Sequence, residues 1–168
     1  MPELPEVENI VRGLRKVLIG QQIGGIELLE TRIIRSSLSD FKEQLPGCVF
    51  RDIQRIGKII VISFSHSLKM IIHLKMTGQL LVHLQPRPIL RHTHLIIELV
   101  PRGDYLIYRD IRRFGFICLA SCEDIYSLPP LRNIGPDALA VQWADFRQIL
   151  SKSKGKTKSR LLDQSLLA

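Results

Sequence analysis

The chain has 168 residues, 45% of them hydrophobic, and 24 Lys and Arg against 16 Asp and Glu leave a formal charge of +8. That is apolar material enough for a core and length enough for one domain or one domain and part of another, which excludes disorder as the main state. The longest apolar runs, Ile59 to Phe64 and Leu95 to Val100 with Glu98 inside, fall well short of the roughly 20 residues that span a bilayer, and Glu3, Glu6 and Glu8 stand where a secretory signal carries basic and apolar residues, so a cytosolic protein is expected.

Pro5 fits the first turn of a helix, and Glu6 and Glu8 gain there from the helix dipole. Val7, Ile10, Val11, Leu14, Val17 and Leu18 follow at helical spacing until Gly20. From Gln21 to about Ala120 the pattern becomes short runs of Ile, Val, Leu and aromatics: 23–29, 49–56, 58–64, 70–74, 80–83, 95–100, 105–108 and 114–119. Breaks at Gly57, Thr77-Gly78, Pro86 to Pro88 and Arg102-Gly103 give the rhythm of an antiparallel β-sandwich flanked by helices, a mainly β fold. After Ile134-Gly135-Pro136 helical spacing returns through Trp143, Phe146, Ile149 and Leu150, predicting a helix from Asp137 or Val141 to Ser151. The organisation expected is a β-sandwich domain over 1–133 and a linker with the first helices of a second domain over 134–168.

The stretch Lys152 to Arg160 sets Lys152, Lys154, Lys156 and Lys158 among Ser, Gly and Thr. It reads either as a solvated charge run or as a flexible linker that touches phosphate, with Lys158 the candidate contact. The final segment, Leu161 to Ala168, is apolar with no partner evident in the sequence, which suggests that further chain belongs after it. Cys48, Cys118 and Cys122 are odd in number and badly spaced for a metal, so they read as reduced structural thiols. His92 and His94 share a strand face at i, i+2 but lack a third ligand nearby. The surplus of cations favours a polyanionic partner.

The Met1-Pro2 start permits methionine removal, which leaves Pro2 with a free secondary amine. An amine of pKa near 8 is about one tenth unprotonated at neutral pH and serves as a nucleophile without burial. Attack on a sugar C1′ gives an iminium that acidifies the C2′ hydrogen, and Glu3 stands beside it to move protons.

The whole string Met1-Pro2-Glu3-Leu4-Pro5-Glu6-Val7-Glu8 resembles the opening of the formamidopyrimidine-DNA glycosylases, bacterial base-excision enzymes. Gly57-Lys58, Ile72-His73-Leu74-Lys75-Met76-Thr77-Gly78, His92-Thr93-His94-Leu95, Tyr108-Arg109-Asp110-Ile111-Arg112-Arg113-Phe114-Gly115, Ile134-Gly135-Pro136-Asp137-Ala138-Leu139 and Leu161-Leu162-Asp163-Gln164-Ser165 follow in that family's order. The resemblance implies a β-sandwich, then a helix-two-turn-helix domain and a four-cysteine zinc finger. It also implies excision of 8-oxoguanine and ring-opened purines from duplex DNA by a monomer, through a proline Schiff base, then β,δ-elimination. By position, Pro2 is then the nucleophile, Glu3 its acid/base partner and Glu6 a supporting carboxylate. Lys58 and His73 are phosphate contacts, and Lys58 also aids the chemistry. Met76 fills the hole left by an everted nucleotide, Phe114 wedges between base pairs, and Arg112 bonds the orphaned cytosine. Met76, Arg112, Phe114 and Leu4 together point to the oxidised-purine branch over the endonuclease VIII branch.

Two features depart from the family. Ile111 replaces a frequent proline. The Gly-rich, Asn-containing segment and the cysteine quartet are not in this sequence, so no zinc is expected as a cofactor, and the chain alone is expected to be weak or inactive. Two other readings compete: a non-catalytic basic nucleic-acid-binding module, and an N-terminal-proline tautomerase.

Overall fold

Val7, Val11, Leu14 and Leu18 fall on one face of a helix and are all buried in the computed structural model, which describes residues 2–85, 90–121 and 125–168. That helix, α1 (Leu4–Leu18), ends where Gly20 takes a φ of +83°, a conformation costly to any residue with a Cβ. The rest of the order is β1 (Gln22–Leu28), α2 (Leu38–Gln44), β2 (Phe50–Ile56), β3 (Ile59–Phe64), β4 (Leu68–His73), β5 (Gly78–His83), β6 (Thr93–Val100), β7 (Asp104–Asp110), β8 (Phe116–Ser121), α3 (Trp143–Lys152) and α4 (Thr157–Leu161), with 3-10 turns at Thr31–Ile33 and Ile125–Ser127.

The strands form two antiparallel four-stranded sheets, β1-β6-β7-β5 and β2-β3-β4-β8. Their facing sides, with α1 and α2, enclose the main core, to which Ile60, Ile62, Met70, Ile72 and Ile117 contribute. Successive strand residues point to opposite faces, so Ile59, Val61, Ile71 and Cys118 emerge on the far side of the second sheet. There they meet Ile125, Leu128, Leu131 and Ile134. Burial on both faces is why β3 opens on four consecutive apolar residues, Ile59 to Ile62, instead of an alternating pattern. Each such side chain contributes about 1.5–3 kcal/mol on leaving water.

Four sequence expectations need correction. Helix α2 was not anticipated: it has seven residues and only Phe41 buried, too little for a visible period. Lys152 to Arg160 is not a flexible linker throughout, because α4 occupies its end and the Arg160 guanidinium donates to the carbonyl of Leu150 near the end of α3. The final apolar segment has partners: Gly135 N–H donates to the Gln164 carbonyl (2.9 Å), Ala168 N–H to that of Pro136 (3.0 Å), and Ala168 is buried. His92 precedes β6 with φ +62°, while His94 is buried and its Nε2 lies 2.7 Å from the Asp110 carbonyl, so the two do not share a face. Cys48 and Cys118 are buried free thiols, whereas Cys122 and the break at Pro86 to Pro88 lie outside the described residues. Among the described residues no helix is long and apolar enough to cross a membrane.

Candidate active site

Glu3 is the N-cap of α1, and its own N–H donates to Glu6 Oε2 at 2.8 Å while the Glu6 N–H returns to the Glu3 side chain. This reciprocal cap fixes where Pro2 leaves the helix. The two-residue hairpin Gly57-Lys58, with Gly57 at φ +56°, joins β2 to β3 and brings Lys58 Nζ to 2.8 Å from Glu3 Oε2. The hydrogen bond from Lys58, and then its charge, hold the Glu3 carboxyl below its ordinary pKa. Glu3 is therefore ionised at neutral pH and rests as a proton acceptor. Pro2 lines an open cavity of about 610 Å³ together with Glu6, Asn9, Met76, Thr77 and Gly78.

Two crossovers run between the sheets, and the first of them borders that cavity. One, residues 74–77, runs from β4 to β5; the other, 111–115, runs from β7 to β8. They lie side by side because His73 pairs with Phe116 and Gly78 with Asp110. Met76 and Phe114 are 43% and 51% exposed at their tips, and the Arg112 guanidinium lies 4.6 Å over the Phe114 ring. Half-exposed on loops, these apolar side chains gain less from burial than core residues do.

His73 faces a second cavity, of about 500 Å³, lined also by Arg35, Lys75, Phe116 and Gln164. Its Nδ1 accepts from the Lys75 N–H at 3.1 Å, so the proton sits on Nε2. Burial, then the charges of Lys75, Lys58 and Arg35, lower its pKa from 6.5 to about 4. Lys158 lies in α4, exposed and outside both cavities.

A sequence profile of the formamidopyrimidine-DNA glycosylase N-terminal domain matches residues 1–117. The chain belongs to the formamidopyrimidine-DNA glycosylase family. It is 37% identical to the formamidopyrimidine-DNA glycosylase of Desulforamulus reducens and 38% identical to that of Lactiplantibacillus plantarum, matching over its full length and over 62% of each relative. Its fold is similar to that of wild-type Lactococcus lactis Fpg (MutM) in complex with N7-benzyl-Fapy-dG DNA, with a TM-score of 0.88, 33% identity, and coverage of 99% of this chain and 62% of that one. A Lactococcus lactis Fpg complex with abasic-site DNA matches with the same TM-score and coverage at 32% identity. The chain thus spans under two thirds of the length of these relatives.

Among the described residues no group of three His, Cys, Asp or Glu side chains is placed to hold a metal ion. The structure brings Pro2, Glu3, Glu6 and Lys58 together, with Met76, Arg112 and Phe114 on the adjoining crossovers. His73 stands behind these crossovers and Lys158 stands apart. Sequence reasoning missed two groups that organise the site. Asp110, fully buried, binds both crossovers. Arg55, whose side chain is 5% exposed, ties Glu8 of α1 to Asp137 at 3.0 and 2.7 Å. An acid ending an apolar strand was the available signal for Asp110; Arg55 gave none.

Proposed function

We propose that this chain supplies the catalytic part of a bifunctional DNA glycosylase and abasic-site lyase of base-excision repair, acting as a monomer on 8-oxoguanine and formamidopyrimidines in duplex DNA. The observation that carries this reading is the placement of Pro2 at a cavity shared with Glu6 and the Met76 crossover, beside the Glu3–Lys58 pair. With Met1 removed, the Pro2 amine attacks C1′ of an everted nucleotide as the bond to the damaged base breaks and the base leaves with a proton. Opening of the sugar ring gives the iminium. Loss of the C2′ proton expels the 3′ phosphate, and a second elimination expels the 5′ phosphate. Glu3, ionised at rest, takes and returns protons at the sugar. Lys58 keeps it so and presents a cation to phosphate, while His73 contributes a neutral Nε2–H and Lys158 a cation farther along the backbone. Met76, Phe114 and Arg112 stand ready for the void, the stack and the unpaired cytosine.

Borohydride trapping on an abasic-site duplex tests this. A covalent adduct that disappears in Pro2→Gly supports it; no adduct from protein shown by intact mass to lack Met1 sinks it for this chain. Because the chain spans 62% of its relatives' length, the 168-residue polypeptide alone is expected to hold duplex weakly, with affinity falling steeply with salt. Tight binding at 200 mM salt in a titration would contradict that expectation.

A further inference from the structure

Asp110 ends β7 at the point where the chain leaves one sheet for the other, and its side chain is surrounded by donors from both crossovers. Oδ1 accepts the Thr77 hydroxyl, from the 74–77 crossover, and the Arg112 N–H at 3.2 Å. Oδ2 accepts the Gly115 N–H at 2.8 Å and faces the Tyr108 hydroxyl at 3.4 Å. The Arg113 N–H adds a further bond, and the Asp110 carbonyl is engaged by His94. Thr77 completes the bridge by accepting the Arg112 N–H at 3.0 Å through the same hydroxyl. The carboxylate is wholly buried and cannot touch DNA. A buried charge with its oxygens so fully bonded persists only if the bonded geometry is kept.

We propose that Asp110 and Thr77 form a latch that makes the two crossovers one rigid unit, so that Met76, Arg112 and Phe114 enter the duplex together. Asp110 is thus a positioning residue and makes no contact with substrate. Packing near Gly115 supports the idea: a Cβ there would lie 1.9 Å from the Tyr108 hydroxyl and 2.9 Å from the His73 carbonyl, so the second crossover is drawn tightly over the latch. Outside it, Arg113 is tied to Glu30 at 3.2 Å, which restrains the same crossover from its other side.

The inference rests on the proposed glycosylase reading, and two measurements separate their failures. The first is amide hydrogen exchange by NMR on the free chain, comparing the native sequence with Thr77→Val, Thr77→Ser and Asp110→Asn. The latch requires that Thr77→Val speed exchange at Arg112 and Gly115 about tenfold, the equivalent of one lost charge-assisted bond. Amides of β3 should be unaffected, and Thr77→Ser, which keeps the hydroxyl, should restore protection. The second is Pro2-dependent trapping on an abasic site in duplex and in single strand of the same sequence, at low salt and micromolar protein. A single strand has no paired duplex to open and no orphaned partner base, so Thr77→Val and Asp110→Asn should lower the duplex-to-single-strand ratio, and Thr77→Ser should recover it. Exchange confined to the mutated crossover, or equal losses on both substrates, would overturn the latch. If the native chain forms no adduct with either substrate, the glycosylase reading fails, and the exchange data still decide whether the crossovers are coupled.

Discussion

Phosphate contacts are usually charged, yet His73, with Arg35, Lys58 and Lys75 around it, is neutral at physiological pH. In the proposed phosphate role it would offer a directed N–H and no charge, so replacing it should leave the salt dependence of DNA binding nearly intact while weakening affinity. The same burial has a consequence for stability. The folded pKa is about 4 against 6.5 for the free side chain, so the neutral imidazole stabilises the fold fully above pH 6.5. That contribution is lost as pH falls through 6.5 toward 4. Urea denaturation at pH 7 and pH 4.5 should show the native chain weakening, and His73→Asn should weaken less between the two. Asp110 does not contribute to that slope. Burial alone would raise its pKa, but the hydrogen bonds from Thr77, Gly115, Arg112 and Arg113 outweigh it and leave the carboxyl below its ordinary 3.8. Its contribution is complete above about pH 4 and is lost only at more acid values.

Strands were legible where turn residues punctuate apolar runs: Gly57-Lys58 and Arg102-Gly103 fall between strands, and Thr77-Gly78 marks the start of β5. Helix α1 was legible from its apolar spacing and from Pro5, Glu6 and Glu8 in its first turns, whereas its Glu3–Glu6 cap was not. Strand order was not, since nothing in β1 says that it pairs with β6, nor in β4 that it pairs with β8. The site divides in the same way. Pro2, Glu3, Glu6 and Lys58 stand at element ends and carry motif signals, whereas the latch depends on two crossovers meeting across the sandwich, a pairing that sequence distance hides. Gly78 tests the crossover geometry directly. Its N–H donates to the Leu74 carbonyl at 2.9 Å, and a Cβ would lie 2.5 Å from that oxygen. Backbone must shift to admit it, so Gly78→Ala should cost about 1–3 kcal/mol in urea denaturation and should reduce duplex trapping more than single-strand trapping.

Residues after 134 pack against the sandwich at a charged junction. The Arg55 guanidinium donates to Glu8 at 3.0 Å, to Asp137 at 2.7 Å and to the Gly57 carbonyl at 2.8 Å, in the hairpin that carries Lys58. Helix α1, the Lys58 hairpin and the 134–141 segment therefore meet on one side chain. Arg55→Met removes the cation from Asp137 and leaves Glu8 with Arg12 alone, and should destabilise the chain by about 2–4 kcal/mol, with partial recovery in Arg55→Met combined with Asp137→Asn. The second sheet's outer face points the same way. Ile59, Val61, Ile71 and Cys118 are covered by Ile125, Leu128, Leu131 and Ile134, which lie beyond the profile-matched residues 1–117. The unit that can be exchanged between relatives is thus larger than the stretch that aligns best. A chimera joined at residue 117 to a relative with a differently shaped covering segment would leave a greasy sheet face badly fitted and prone to aggregate, whereas a junction beyond 134 would carry the sheet and its cover across together.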